Sequence, residues 1–574
     1  MTKWFIKNKK PETPIDPNQL GLKPWAYQFL VNRGLTEKEE IAQYLSPSLD
    51  NLHSPILLAG MVKAGNIMME AAKKKFKIRI VGDYDVDGIT STTILLKGLR
   101  NLGFSVDYRI PQRERDGYGI KPSMVDEAHG DGIQLIITCD NGVAQFDAVA
   151  RAGELKIPVI VLDHHETVKG EEGEVLPQAA ALVDPKQEKD RYPFPGICGG
   201  FIAYKFISYL HTIFGKFEEF PPELHGLAAL ATVCDVMELR DENRDIVAIG
   251  LKYLEEPGSV GIRALKEVGS VTGPMEVFHL GFVLGPMLNA AGRLETADLG
   301  VELLMAEDEG RARELAQHLR ALNQRRQQLT QEGVERGIRA LEDPKKRAQS
   351  LYILKDLEAH ESIAGLIAGK IKERFGRPTI VLTRGRDGLK GSGRSVENFH
   401  MVEELSPYRK YLTSFGGHAM ACGLSLKEEQ FEPFVAAVAE GIRRNPADFE
   451  KIYRADLFLP PDKLSFALME ELNQFKPFGN GNEAPLFAAS AVTLDSYQIR
   501  GKRQNVIAMD LSYGGRKYRG VLFQGKDEFL HFLGPALSHK IPVLDLMYQP
   551  KVEEFRGNRY ISLVIKDYRL SKRG

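Results

Sequence analysis

Residues Ile78 to Thr92 read IRIVGDYDVDGITST. A short β-branched run closes on three alternating carboxylates, Asp83, Asp85 and Asp87, and Gly88 then opens a helical pattern. Acids this close raise one another's pKa unless cations sit among them. A solvated acidic turn is the plain alternative. An EF-hand loop shares the first spacings, but Ile94 stands where its bidentate Glu belongs, and the segment before Asp83 is strand-like. The stretch reads as a strand-to-helix turn that holds hard cations at a sheet edge.

Outward from this turn, residues from about 55 to 240 alternate apolar runs (KIRIV, SVDYRIP, IQLIITC, IPVIVL, AALVD) with helical stretches. That alternation predicts a parallel sheet with helices on both faces, whose ligands gather beyond the carboxyl ends of the strands. Polar residues fall at those ends: Asp140 and Asn141 after LIITC, then Asp163, His164, His165 and Glu166 after VIVL. Asp235, closing the apolar helix in ATVCDVMEL, is a fourth candidate. Aspartates with one or two histidines and no thiolate favour Mn²⁺ or Mg²⁺. Two such ions activate a bridging water and stabilise the leaving oxygen of a phosphoester.

Further motifs point to anions. In PQRERDGYGI, Arg113 and Arg115 near Tyr118 suit a phosphate clamp and a stacked base, or simply a solvated loop. Arg293 in GPMLNAAGRLETA is a phosphate ligand or a helix-capping residue. From Asp308 to about Arg347 no proline appears until Pro344, which predicts a connecting helix about 50 Å long. A second α/β unit follows, carrying GSGRS with Ser392 and Arg394, and GGHAMACG with His418. Each glycine cluster alone fits a tight hairpin; together they expose amides toward an anion. After about 453, short strands interleave basic and aromatic residues: Arg500, Lys502, Arg503, Tyr513, Arg516, Lys517, Tyr518, Arg519, Arg556, Arg559 and Tyr560. That composition fits an OB-fold-like β-barrel, or a solvated β-surface. The loop KPFGNGNEAP, 476–485, is expected to join this barrel back to the catalytic cleft.

The chain has 574 residues, enough for about four domains, and a net charge of −1 that gives no global pull toward polyanions. No apolar run reaches about 18 residues, and the start lacks a signal-peptide core, so no membrane association and a cytoplasmic location are expected. Cys139, Cys198, Cys234 and Cys422 are too scattered for a zinc site.

DYDVDG, CDNG, DHH and the CDVMEL segment, in that order, resemble the phosphoesterases named for their Asp-His-His motif. The fuller downstream pattern is similar to the RecJ-type single-strand-specific exonucleases, from about residue 50 to the end. The resemblance implies that Asp83 and Asp85 face one metal, that Asp87, His164 and Asp235 face a second, and that Asp140 bridges both. By the same resemblance His165 contacts the substrate phosphate, and Arg113, Tyr118, Arg293, Ser392, Arg394 and His418 bind substrate.

The resulting expectation is an α/β protein. It comprises an N-terminal arm (1–50) packed on the first domain, a parallel-sheet catalytic domain (51–305) and a connecting helix (306–348), then a DHH-associated α/β domain (349–450) and the barrel (451–574). The implied activity is 5′-to-3′ hydrolysis of single-stranded DNA with two Mn²⁺ or Mg²⁺ ions, in recombination and repair, by a monomer whose partners are a single-strand-binding protein and a helicase. The rivals are a nanoRNase or cyclic-dinucleotide phosphodiesterase of the same superfamily, and a non-catalytic single-strand-binding scaffold. The basic β-domain argues against the first, and the intact acids against the second.

Overall fold

The computed structural model describes residues 2–171, 173–255, 259–501, 504–534, 542–555 and 557–571, and the chain divides into two compact units, 48–450 and 1–47 with 451–574. In the first unit five parallel strands stand in the order Ser105–Arg109, Lys77–Val81, Leu135–Cys139, Val159–Leu162, Ala181–Val183. Alternating side chains give this sheet two apolar faces. Ile78, Ile80, Ile137 and Leu162 join a core shared with helices Val86–Asn101 and Gly199–Ile213. Val81, Ile136, Val159 and Val161 join another with helices Pro122–Gly130 and Phe146–Glu154. Because the strands run the same way, the residues that follow them, including Asp83, Asp140, Asp163 and Asp184, emerge on one edge.

The connecting helix is Glu309–Ala340, 32 residues, which at 1.5 Å per residue is about 48 Å long. Asp308 caps it by accepting from the Arg311 amide at 2.7 Å. Its first half buries Ala312, Leu315, Ala316 and Leu319 in the catalytic core, and its second half buries Val334 in a core of the next lobe. That lobe is a mixed sheet in the order Ser414–His418, Ala421–Leu426, Gly388–Arg394, Thr379–Gly385, Tyr352–Lys355, parallel only at its last pair. The GSGRS and GGH glycines therefore lie largely within neighbouring antiparallel strands and not in turns.

In the second unit strands Phe487–Arg500, Val506–Tyr513, Arg516–Leu522, Asn558–Leu570 and Val543–Phe555 pair in that order, and the first pairs again with the last, closing a five-stranded barrel. The N-terminal arm belongs here and not on the catalytic domain. Strand Lys3–Ile6 pairs in parallel with Ile452–Ala455, and Phe29, Leu30 and Val31 share the barrel's core. Short helices such as Pro24–Asn32 must bury an apolar face to persist, and the barrel supplies the partner. The loop 476–485 also has its partners in this unit: Asn482 receives Arg33 at 2.7 Å and the Tyr44 hydroxyl at 2.9 Å through Oδ1. It fastens the arm, where the sequence suggests a link to the cleft.

Candidate active site

Asp83 lies two residues beyond strand Lys77–Val81 and is buried. Asp85 caps helix Val86–Asn101, accepting from the Gly88 amide at 3.1 Å. Asp87, in the first turn of that helix, is only 2% exposed. Its carboxylate meets the N-terminus of helix Gly199–Ile213, where the Gly199 amide donates to Oδ2 at 2.7 Å and the Gly200 amide to Oδ1 at 2.8 Å. Asp140 takes a left-handed backbone, φ 60°, at a cost of about 1–2 kcal/mol. Asn141 holds this turn: its side-chain amide donates to the Val81 and Cys139 carbonyls at 3.1 and 2.9 Å.

The candidate ligand atoms of Asp83, Asp85 and Asp140 lie within 4.8 Å of one another, and so do those of Asp87, His164 and Asp235. His164 Nε2 stands 3.1 Å from Asp140 Oδ1, 3.6 Å from Asp87 Oδ2 and 3.7 Å from Asp235 Oδ2, so the two groups adjoin. Asp140, His164 and His165 form a third group of the same kind. Burial and then mutual repulsion push Asp83, Asp140 and Asp235 well above the ordinary carboxylate range. Burial lowers the His164 pKa, which favours the neutral imidazole a metal needs.

These residues fit a pair of hard divalent cations. Asp83 Oδ1 and Asp235 Oδ2 are buried without any hydrogen-bond partner, a cost of about 1–3 kcal/mol each that a cation removes. The donors are carboxylate oxygens and imidazole; Cys139 and Cys234 stay thiols because burial raises their pKa.

His165 differs from its neighbour. Burial opposes its charge, but the 2.7 Å hydrogen bond to Asp163 and that carboxylate's charge win, raising its pKa to about 9. Asp163 itself, buried, is held below its usual range by the same partner, and it accepts from the Val143 amide at 2.9 Å. Asp163 thus biases His165 toward its protonated form. The Tyr118 hydroxyl donates to the Asp140 carbonyl at 2.7 Å and lies 3.1 Å from His165 Nδ1. Its ring meets His165 edge-on. Arg115, more than half exposed, pairs with Asp116 at 2.8 Å.

Arg113 lies over the Tyr84 ring at 4.0 Å. Arg293 donates to the Ser362 carbonyl of the second lobe at 2.7 Å. Arg394 donates to Ser392 Oγ at 2.9 Å, and a Cβ on Gly365 would stand 2.6 Å from its guanidinium and 2.8 Å from that hydroxyl. Only glycine admits that close approach of helix Ala364–Phe375. Burial first, then the charges of Arg113, Arg326 and Arg394, lower the Arg293 pKa to about 10. His418 is exposed; it pairs with Ala421, which pairs with Arg394, so the three share one cross-strand row about 10 Å wide.

On the barrel, Arg519 lies over Tyr560 at 5.1 Å beside an open cavity of about 630 Å³, whose walls also carry Asp495, Asp510 and Lys517. Arg500, Arg516 and Arg559 are exposed; Lys502, Arg503 and Arg556 lie outside the described residues. The sequence places Asn141 at a strand end without giving it a role, and gives Gly199, Gly200 and Gly365 none. The paired glycines at a helix start are a visible signal; Gly365 acts through a contact distant in sequence.

Three family patterns match the chain: the DHH family N-terminal domain over residues 77–232, the DHHA1 domain over 348–444 and the RecJ OB domain over 455–567. The single-stranded-DNA-specific exonuclease RecJ of Escherichia coli K12 is 34% identical over 568 residues, covering 95% of each chain. That of Bacillus subtilis 168 is 32% identical over 560 residues, covering 96% of this chain and 69% of its own. The crystal structure of RecJ with Mn²⁺ from Thermus thermophilus superposes with a TM-score of 0.82 at 26% identity, covering 99% of this chain and 80% of that one. A Mg²⁺ complex from the same organism gives a TM-score of 0.77, covering 99% and 79%.

Proposed function

The chain belongs to the RecJ family of single-stranded-DNA-specific exonucleases, and from that premise we propose that it hydrolyses single-stranded DNA from a 5′ end with two Mn²⁺ or Mg²⁺ ions. The observation that carries this reading is that the adjoining groups Asp83, Asp85, Asp140 and Asp87, His164, Asp235 lie in one unit with Arg113, Arg293 and Arg394. Asp83 and Asp85 would hold one cation and Asp87, His164 and Asp235 the other, with Asp140 serving both. Bound there, the pair would activate the attacking water and neutralise charge on the phosphoryl oxygens.

The protein's own residues do the rest. The amides of Gly199 and Gly200 and the side chain of Asn141 hold the ligands in place before substrate arrives, so little reorganisation is left for the reaction. His165, charged through Asp163, faces a phosphoryl oxygen of the scissile group. Arg113, Arg293, Ser392 and Arg394 take the terminal 5′-phosphate, with His418 in the same row. An end pocket at a fixed distance from the metals selects the bond by position and not by base. Tyr118 orients Asp140 and His165.

The closed barrel supports a long-strand substrate over the dinucleotides of the rival phosphodiesterases. The mutually repelling buried acids support catalysis over a binding scaffold. Family membership supports a role in recombination and repair, as a cytoplasmic monomer working with a single-strand-binding protein and a helicase. Among the described residues no helix is long and apolar enough to cross a membrane.

The test uses one oligonucleotide, single-stranded or duplex, labelled at either end, with a 5′-phosphate or a 5′-hydroxyl, in Mn²⁺, Mg²⁺ or EDTA. Release of mononucleotides from the 5′ end of the single strand only, absent in EDTA, is expected. Degradation from the 3′ end, or turnover in EDTA, would overturn the proposal.

A further inference from the structure

Tyr118, whose hydroxyl meets the Asp140 carbonyl and His165, stands between two glycines with left-handed backbones, Gly117 at φ 75° and Gly119 at φ 72°. A Cβ on Gly119 would lie 2.9 Å from the Gln145 side chain, whereas one on Gly117 would meet nothing. The chain can therefore pivot just before the tyrosine. The turn on the far side of that pivot moves as one piece: the Asp116 amide donates to the Gln112 carbonyl, and the Gln112 amide to Asp116 Oδ2, both at 2.8 Å. Where this piece rests decides where Tyr118 points.

On its inner side the piece is reached by Arg109, 3.9 Å from Asp116. Its outer tip is held by the other lobe, where Glu114 Oε1 lies 2.9 Å from His360 Nε2. His360 is set for that contact. Its Nδ1 faces the Ser362 hydroxyl at 2.7 Å and accepts from the Ser362 amide at 3.4 Å, which leaves the ring proton on Nε2, aimed at Glu114. The Ser362 carbonyl receives Arg293 of the catalytic lobe at 2.7 Å. One short turn, Glu361–Ile363 with His360 as its cap, thus touches the catalytic lobe at two points. The Glu114 side chain is 60% exposed and that of His360 38%, and a pair so open to water adds little to stability. What it has is leverage, because it joins the second lobe to the loop that carries Tyr118.

We infer that Glu114 and His360 are positioning residues for the reaction, a clasp between the lobes that sets Tyr118 against Asp140 and His165 from outside the catalytic domain. This rests on the metal-dependent reading above. It adds that the second lobe acts on the metal edge itself. Small misplacements of reacting groups slow the chemical step steeply, so a loosened loop lowers kcat. Arg113 has its own seat over the Tyr84 ring at 4.0 Å, so KM depends much less on the clasp.

The test compares the full-length wild type with Glu114→Ala, with His360→Asn, which keeps an acceptor for Ser362 but is too short for Glu114, with both together, and with the exchanged pair Glu114→Lys and His360→Glu. The substrate is one single strand in Mn²⁺ or EDTA. Each single variant should lower kcat by roughly tenfold and change KM by less than about twofold. The double variant should lose no more than either single one, and the exchanged pair should recover most of the loss. A second readout needs no turnover: amide hydrogen exchange across residues 111–120 should quicken several-fold in the single variants and slow again in the exchanged pair. All should melt within about 2 °C of wild type. Wild-type kcat in the single variants, with or without faster exchange, overturns this inference and leaves the metal-dependent reading standing. Turnover by wild type in EDTA overturns that reading and the inference with it. A loss that the exchanged pair does not recover, with a lower melting temperature, would make the pair a packing contact and overturn the inference as well.

Discussion

The Gly199 amide donates to Asp87 Oδ2 at 2.7 Å, and no side chain fits at position 199: a Cβ there would stand 2.8 Å from the Asp140 Cβ and 3.0 Å from that same oxygen. One glycine therefore sets the separation of two candidate metal ligands that are 53 residues apart in sequence. Gly199→Ala should shift both carboxylates by a few tenths of an ångström or more and lower kcat by on the order of 10²-fold. The Mn²⁺ concentration for half-maximal activity should rise in parallel. Normal kcat and metal dependence in this variant would remove the helix N-terminus from the site's construction.

Asp140 belongs to the group with Asp83 and Asp85 and stands 3.1 Å from His164 of the adjoining group, so Asp140→Ala should abolish activity, by several orders of magnitude, and EDTA should do the same to wild type. Stability should move the other way. Asp140→Asn keeps a side chain that tolerates φ 60° and removes one of the mutually repelling carboxylates. In EDTA it should melt at or above the wild-type temperature, and added Mn²⁺ should stabilise it less than wild type. A lower melting point for the Asn variant in EDTA would show that the carboxylate supports the apo fold.

His225 provides a pH test remote from the acids. It is buried among Tyr204, Phe220 and Tyr253 and shares a 2.9 Å hydrogen bond with the Tyr204 hydroxyl. Burial, opposed weakly by Glu223, lowers its pKa from 6.5 to about 4. Between those values the unfolded chain binds the proton and the folded chain does not, so stability is complete above pH 6.5 and is lost as pH falls toward 4. From pH 7.5 to 5 this group should cost about 2 kcal/mol. His225→Gln should lose correspondingly less than wild type over the same interval in denaturant unfolding. Identical pH slopes would mean that His225 is not buried as a neutral ring.

The metal candidates were legible because a parallel sheet forces its strand ends together: once KIRIV, LIITC and VIVL are strands, Asp83, Asp140 and His164 must share an edge whatever the loops do. Arg115, the weaker of the two arginines in that loop, pairs with the next residue, Asp116, as a solvated loop would have it. On the connecting helix, Asn323 Oδ1 and Arg326 Nε are buried without hydrogen-bond partners, and composition hides both residues. On a helix rich in Arg and Gln, two inward polar residues look like the solvated ones around them, and only the buried stripe on either side singles them out. The N-terminal arm was assigned to the wrong neighbour because parallel pairing of residues 3–6 with 452–455 leaves no periodic trace in either segment.

That pairing also decides how the barrel must be removed to learn what it does. Cutting the chain after residue 450 alone would leave strand Lys3–Ile6 without its partner and expose Phe29 and Leu30, which share the barrel's core. At roughly 25 cal/mol per Å² of apolar surface, such an arm favours aggregation over a clean loss of function. Deleting 1–47 together with 451–574 leaves unit 48–450, which has its own cores and holds every candidate metal ligand. It should still cleave very short oligonucleotides. Binding to long single strands should weaken, and the slope of log K against log salt should flatten, because exposed Arg500, Arg516, Lys517 and Arg559 no longer displace counterions from the phosphate backbone. Each phosphate left unneutralised takes about 0.7 off the magnitude of that slope on single strands, so the difference gives the number of phosphates the barrel engages. An equal slope and equal affinity for long strands would mean that the barrel serves a protein partner and not DNA.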